Sequence, residues 1–436
     1  MKINLKGLEY FLLAIGIFTD VRIEPLIMLL AVLLVYSRGG NITWNRSILL
    51  GFGVLTAWSL LAILMVGYSP WKFVQQFILL FYFFTAYHIL FNNNRDHIND
   101  IFRMYLRVAF VLCILGLLQF AVLYLTGFDI FFMFKEREHV LLETGNITRI
   151  SSICAEPGNF SRVITPALGY YLFKDHRDRK EWTRFLVILL TFFLTFSTMS
   201  YVIFFAMVGY KYLIIKKNVI VRAAATVLSC IVAVFIFNII TATEGKIGQG
   251  EDRTLLSDVS IKIRDVVGGF KDFTPETIET LNLSSYATLM NVWVALNAPN
   301  RVFGTGLGTH EQNYQNVYYS DSEFYGLNMQ EGYALANRLY SELGLAGIFL
   351  FVWFLYKCHN KKNIINICVF FALLTVTFRG GHYTRYGTIF FLFLYYYTST
   401  YVQKGLRMAE GHPDEPHSYK TAALPEKTNA PKQTTP

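Results

Sequence analysis

The chain is a succession of apolar runs separated by short polar connections. A hydrocarbon core about 30 Å thick is crossed by roughly 20 helical residues, fewer where neighbouring protein covers the ends. Twelve runs meet that requirement, near 7–19, 23–37, 47–67, 73–91, 104–126, 158–173, 184–198, 199–215, 219–240, 332–356, 364–378 and 386–402. The pattern predicts an all-α polytopic membrane protein, a bundle of about 12 transmembrane helices over 1–402. The first run follows MKINLKG with no A-x-A step before the second, so it reads as a retained helix and not as a cleaved signal.

The polar connections set an expected sidedness. Lys2, Lys6, Arg38, Arg46, Arg95, Arg103, the cluster KDHRDRKEWTR at 174–184, Lys211, Lys216, Lys217, Lys357, Lys361, Lys362, Lys404 and Arg407 all fall on one side. Excess Lys and Arg marks the cytoplasmic face, which would then hold both termini in a bacterial inner membrane. The opposite side receives about 127–157, about 241–331 and the short loop 379–385. Segment 241–331 carries twelve Asp or Glu against six Lys or Arg, the reverse of the cytoplasmic connections, and reads as a periplasmic subdomain. Within it, Leu255, Leu256, Val259, Ile263, Val266 and Val267 recur at helical spacing, and 286–297 is apolar but too short to span. Both are expected to lie on the membrane surface as a roof. From 403 to 436 the chain is polar and proline-rich, the composition of a disordered cytoplasmic tail.

Composition agrees with this picture. Hydrophobic residues make up 54% and charged residues 16%, a balance that excludes an ordinary soluble domain. The net charge of +9 is accounted for by the topological clusters, so no nucleic-acid partner is expected. The five cysteines are scattered singly, with neither a disulfide framework nor metal-ligand spacing.

Charged residues beside the outer ends of apolar helices are the most informative, since ionised groups there are costly unless they face water or a charged ligand. In TRISSICAEPGNFSR, Arg149, Glu156 and Arg162 bracket the start of the sixth helix. They form either an entry turn with an acid at a helix N-terminus or a ligand cradle. In RGGHYTRY, Arg379, His382 and Arg385 crowd one loop, as a solvated turn or as a seat for an anion such as a diphosphate. In VFGTGLGTHEQNY, three glycines lead to His310, without the strand-turn-helix setting of a nucleotide loop. His310 is either a surface residue or a base. In NRLYSELG, Asn337, Arg338 and Glu342 open the tenth helix, and Arg338 with Glu342 at i, i+4 forms an internal ion pair or part of a site.

These segments, in this order, resemble the Wzy-type polymerases and O-antigen ligases of bacterial surface polysaccharide synthesis. The resemblance rests on Arg149 followed by Glu156-Pro157, the Ser-bearing stretch FSTMSYVIF, the large late loop, GTGLG, and NRLYSELG before an apolar helix. It implies an undecaprenyl diphosphate-linked glycan as donor, transferred at the periplasmic face without metal, nucleotide or other cofactor. It also implies membrane lipid, a Wzz-type chain-length regulator and a flippase as partners. Arg149, Arg379 and Arg385 are expected to clamp the diphosphate, with Arg338 and Arg301 as further candidates. Where many relatives have an HN pair, this chain has Ala336-Asn337, so His310, His382 or Glu342 is left as the base. An Arg that relatives carry ahead of the roof helix is missing from LSSYATLMN, and Arg253, Arg264 or Arg301 is the substitute.

Other classes fit less well. A flippase shares the helix number, but the connections are asymmetric and show no internal repeat. A glycosyltransferase using polyprenyl phosphate sugars would carry paired acids in its first outer loop, which here is TDVRIEP. Ligase and polymerase differ in acceptor, and the missing His leans toward polymerase.

Overall fold

The computed structural model describes residues 4–19, 23–42, 45–131, 149–215 and 264–400, with positions 219, 223, 226 and 402. Among these residues every regular element is helical. Eight helices precede the gap in the description: α1 (Leu5–Gly16), α2 (Glu24–Ser37), α3 (Arg46–Val66), α4 (Trp71–Asn93), α5 (Ile98–Thr126), α6 (Pro157–Phe173), α7 (Arg179–Leu194) and α8 (Thr198–Gly209). After a helical turn at 264–271 come α9 (Pro275–Glu279), α10 (Leu283–Leu296), α11 (His310–Val317), α12 (Leu335–Cys358), α13 (Ile364–Phe378) and α14 (Thr388–Tyr397).

Local chemistry sets the boundaries. Side chains of Asn4, Asn45, Asp178, Asn282 and Asn363 accept from the first free backbone N–H groups of their helices. Gly67 and Gly127 close α3 and α5 in the left-handed conformation. Pro157 opens α6, where its missing N–H costs nothing. The capping by Asp178 starts α7 at Arg179, so the expected run 184–198 begins within the basic cluster and ends earlier, at Leu194.

Helices occupy every predicted run except 219–240, of which only positions 219, 223 and 226 are described, each helical; the rest of that run, the greater part of 127–157 and the tail beyond 402 lie outside the described residues. Among the described residues five helical stretches are long and apolar enough to cross a membrane: Arg46–Val66, Trp71–Asn93, Arg95–Thr126 (α5 with the turn before it), Thr198–Ile215 (α8 with the turn after it) and Leu335–Cys358. Their outward faces expose large apolar side chains, among them Leu64, Met65, Leu125 and Phe349. An apolar surface of that extent is untenable in water and is the surface a bilayer covers. The remaining helices of the bundle are shorter than a full crossing.

The main core joins α6 to α13, α1 to α5 and α2, and α13 to α14. α6 is buried almost all round, the mark of a central helix. A second core forms apart from it, where α9, α10 and α11 enclose Ile278, Tyr286, Leu289, Met290, Val294 and Tyr314. α10 turns Ser285, Tyr286, Ala287, Leu289, Met290, Asn291, Val294 and Ala295 inward and packs on α9, α11 and α12. The apolar stretch 286–297 thus turns one face into this protein layer. The helical repeat expected from Leu255 onward lies mostly outside the described residues.

α12 is broken. Gly344 adopts φ 65° and ψ −164°, and the 301–306 passage fills the break. Thr305 N–H donates to Ser341 O at 3.2 Å and Gly306 N–H to Glu342 O at 2.8 Å. Leu345 N–H donates to Arg301 O and Ala346 N–H to Val302 O. A Cβ on Gly344 would run into the Val302 carbonyl, and one on Gly304 into the Glu342 carbonyl.

Gly344→Ala is therefore expected to lower stability by well over the roughly 1 kcal/mol that a positive φ alone costs an alanine. Gly67→Ala, at φ 75° with open space around it, should cost about that 1 kcal/mol only. Thermal unfolding of the two variants in one detergent measures the difference.

Candidate functional site

The ends of α6, α7, α8, α12, α13 and α14 that meet the loops 149–156, 195–197, 328–334 and 379–387 converge at one end of the bundle. Two groups of cations lie there.

The first is Arg149 with Arg379. Arg149 Nε donates to Thr195 O at 3.1 Å, in the break between α7 and α8. Arg379, at the end of α13, reaches Ser197 Oγ at 3.5 Å and lays its guanidinium against Gly158 in the first turn of α6. A Cβ on Gly158 would sit 3.1 Å from that guanidinium. Burial, and then the charge of Arg379, push Arg149 down to about 10, while Glu156 acts in the opposite sense. Glu156 is exposed at the N-cap of α6 and makes no side-chain cap bond. Neither arginine has a carboxylate within ion-pair distance among the described residues, and the N-terminus of α6 adds its own positive potential.

The second group is Arg162, Arg338, Arg385 and His382. Arg162 is 2% exposed; its Nη1 donates to Gly380 O at 3.1 Å and its guanidinium faces the Tyr386 ring. Arg385 pairs with Glu331. Arg338 Nε donates to Glu342 Oε1 at 2.8 Å, its Nη2 donates to Gln76 Oε1 at 2.9 Å, and its guanidinium lies over the Tyr383 ring. Tyr383 OH donates to Glu342 Oε2 at 2.8 Å. The i, i+4 pair of the sequence is thus a closed, buried ion pair, in which both Glu342 oxygens already accept.

The three expected clamp residues do not act alike. Arg379 turns to Arg149, whereas Arg385, in the same loop, is neutralised by Glu331. Arg338 is likewise held by Glu342. Arg301 is exposed and contributes its carbonyl to the α12 break. Arg264 lies 4.0 Å from Asp265, outside these two groups. Asn337 Nδ2 donates to Gly332 O and ties the loop before α12. Arg253 lies outside the described residues.

The imidazoles differ in what they present. His382 Nδ1 accepts from the Thr384 N–H at 3.3 Å and contacts its hydroxyl at 3.0 Å, so its proton resides on Nε2. His310 is fully buried, and its Nε2 lies 3.1 Å from Asn291 Oδ1. Asn291 Nδ2 donates to Ala287 O and Leu327 O, which fixes Oδ1 as the atom facing the ring. His310 Nε2 therefore carries the proton, and the lone pair sits on Nδ1, which has no partner among the described residues. Burial, reinforced by Arg338, lowers the His310 pKa to about 3; burial with Arg338, Arg385 and Arg162 lowers that of His382. Both rings are neutral at physiological pH.

Sequence reading had passed over Gln76, Asn291, Glu331, Tyr383 and the role of Arg162. Gln76 was legible as a polar side chain inside an apolar run. The others are defined by partners distant in the chain. Ser152, Phe196, Asn328, Tyr333 and Tyr386 have left-handed backbone, and all five lie in the segments enclosing this region. Such conformations cost about 1–3 kcal/mol each and gather where surrounding structure over-determines them.

No family model, curated protein or solved structure matches the chain.

The histidines also predict a pH dependence of stability. Unfolded His310 takes up a proton below its ordinary value of 6.5, whereas the folded ring does so only near 3. Its stabilising contribution is complete above pH 6.5 and is lost as pH falls toward 3, by at most about 1.4 kcal/mol per pH unit. His310→Gln should flatten the fall in unfolding temperature between pH 6.5 and 5; an unchanged slope would contradict the assignment.

Proposed function

We propose that the protein is an inner-membrane glycosyltransferase that polymerises undecaprenyl diphosphate-linked glycans on the outer face. The observation that carries the reading is the Arg149–Arg379 pair at the N-terminus of α6, two partly buried guanidiniums with no ion-paired carboxylate among the described residues. A diphosphate suits such a seat, because each planar fork engages two oxygens and the helix N-terminus favours the same charge. The apolar faces of the long helices supply the setting in which a polyprenyl tail presents that diphosphate at a fixed depth.

The chemistry follows from an already activated donor. An acceptor hydroxyl at the non-reducing end of a second lipid-linked repeat attacks the anomeric carbon. The bond from that carbon to the diphosphate oxygen breaks, and undecaprenyl diphosphate departs with the electron pair, inverting the centre. Arg149 and Arg379 stabilise the charge that develops on the leaving group. The hydroxyl proton passes to a base. Glu342 is engaged by Arg338 and Tyr383, and His382 Nδ1 by Thr384, so His310 Nδ1 is the candidate with a free lone pair. The negative charge of bound diphosphate opposes that of Arg338 and raises the proton affinity of His310 when the donor is in place. No metal or cofactor enters this scheme. A Wzz-type chain-length regulator and a flippase are its expected partners.

Arg149→Ala and Arg379→Ala should each reduce chain extension by about 100-fold or more, the usual loss for a removed transition-state contact. Membrane insertion should be unaffected. The readout is the polymer ladder restored to a deletion strain, normalised to protein in the membrane fraction; a normal ladder from either variant removes that residue from the site.

A further inference from the structure

A cleft of about 570 Å³ opens beside the end of α3, lined by Met65, Val66, Tyr68, Pro299, Asn300 and Asn316. Three segments build it: the C-terminus of α3 with its Gly67 cap, the loop after α10, and the last turn of α11. Bonds between these segments fix their positions. Trp58 Nε1 donates to Phe303 O at 2.8 Å and ties α3 to the loop. Tyr68 OH donates to Asn313 Oδ1 at 3.0 Å, and Gln312 Nε2 donates to Ser69 O at 3.3 Å, which tie the turn after α3 to α11. The cleft is thus preformed, and its volume falls within the roughly 300–1,000 Å³ of small-molecule sites. Met65, Pro299 and Asn316 are exposed, so it is reached from outside.

The lining is polar without being charged. Asn300 Oδ1 accepts from the Val302 and Phe303 N–H groups at 3.2 and 3.1 Å, so what Asn300 has to offer is its Nδ2 donor. Asn316 brings an amide with both an acceptor and donors. Asn313 Nδ2 donates to Thr305 Oγ1 and Ser341 Oγ, which makes its Oδ1 the acceptor for Tyr68 and sets the direction of the phenol. Met65, Val66, Pro299 and the Tyr68 ring supply apolar surface beside these groups. Of the charges next in sequence, Lys72 and Glu311 pair with each other at 2.7 Å, and Arg301 is exposed and outside the lining.

A diphosphate finds no cation in this lining to meet its charge. An acyl chain would strip water from the amides of Asn300 and Asn316 and give them no partner in return. A sugar suits both halves of the cleft: its hydroxyls donate and accept, and its C–H faces lie against the tyrosine ring and the proline. We infer that the cleft is a subsite for neutral interior sugars of the lipid-linked glycan, those that do not react. The source of the saccharide rests on the polymerase reading, which this subsite deepens. Asn316 lies on α11 six residues beyond His310, about 9 Å along the helix axis, so the cleft holds the glycan to one side of the reacting region. A neutral cleft here and the charged Arg149–Arg379 pair elsewhere separate recognition of the repeat unit from stabilisation of the leaving group.

The test is calorimetric titration of the full chain in lipid nanodiscs with two probes: the water-soluble repeat-unit oligosaccharide released from the host strain's lipid-linked pool, and inorganic pyrophosphate. Met65→Trp fills the mouth of the cleft, and Asn316→Leu removes an amide. Both positions are exposed, so the fold should be kept, which thermal unfolding checks. Met65→Trp should raise the Kd for the oligosaccharide about 10-fold or more, the scale of steric overfilling. Asn316→Leu should raise it about 5-fold, the loss of one hydrogen bond, and Asn316→Gln should recover most of that. Pyrophosphate should bind wild type and both variants alike. The cleft is overturned by wild type that does not bind the oligosaccharide, by equal Kd in wild type and both variants, or by pyrophosphate binding that Met65→Trp weakens. A phospholipid retained by wild type and lost from Met65→Trp in native mass spectrometry also overturns it, in favour of a lipid site. Polymerisation assays separate the two levels. Polymer formed by wild type, with oligosaccharide binding unchanged in both variants, rejects the cleft and keeps the polymerase. Binding weakened in both variants, while wild type forms no polymer, keeps the cleft and rejects the polymerase.

Discussion

The break in α12 at Gly344 is the constraint on which the arrangement depends. A helix interrupted among apolar surroundings leaves carbonyls and amides that must find partners, because no water is at hand to take them. Here the partners are the amides of Thr305 and Gly306 and the carbonyls of Arg301 and Val302. The passage from 301 to 308 is therefore docked into a transmembrane helix and does not hang outside it. Its glycines are a consequence of that docking. Gly304 meets the Glu342 carbonyl, Gly306 the Ser59 carbonyl and Gly308 the Lys72 carbonyl, so backbone lies against backbone where any side chain would intrude. His310 follows directly, and its position is inherited from this seam. Asn313 strengthens it, donating to Thr305 Oγ1 and Ser341 Oγ, while Lys72 pairs with Glu311 on the far side of α11.

Electrostatics then sorts the polar residues at this end of the bundle into two kinds. Arg338, Glu342, Tyr383 and Gln76 form a network in which the ion pair is fully desolvated. Such a pair roughly balances its own desolvation and serves mainly to fix geometry. Arg385 with Glu331 plays the same part for the loop between α13 and α14. Arg162 is different. It is buried, is bonded to a carbonyl and an aromatic face, and makes no ion pair among the described residues. Arg149 and Arg379 share that lack. An uncompensated buried cation is costly, and Arg162 in α6, with the partly buried Arg149 and Arg379 in the adjoining loops, places positive charge at this end of the bundle.

Much of this was legible in the sequence, and the failures have physical causes. Apolar runs located the helices, because a bilayer imposes length and composition on whatever crosses it. Polar residues at the ends of those runs pointed to the loops that hold Arg149, Arg379, Arg338 and His382, since such groups are rare beside apolar helices. Pairing was not legible: Arg385 finds Glu331 54 positions away, and nothing local distinguishes it from Arg379. The break at Gly344 was hidden because its neighbours on both sides remain apolar and helical in pattern. What α10 packs against was hidden for a related reason: an apolar face looks the same in sequence whether lipid or protein covers it, and the second core shows protein on the face that carries Tyr286, Leu289 and Met290.

The passage from 301 to 310 also fixes His310 from several sides. It hangs from a seam stitched to α12 by backbone bonds and to α4 by Lys72, with its ring steadied by Asn291 of α10. Three elements thus fix one imidazole, and none of them contributes a carboxylate that would draw a proton onto Nδ1. Keeping the ring neutral and its lone pair bare in a buried site is a matter of what surrounds it. Arg338 discourages protonation, while Asn291 holds the one proton on the opposite edge. The same arginine donates to Gln76, so the residue that keeps the imidazole neutral also orients the amide beside it. The buried charge of Arg338 is itself tolerated because Glu342, one helical turn away, is bonded to it.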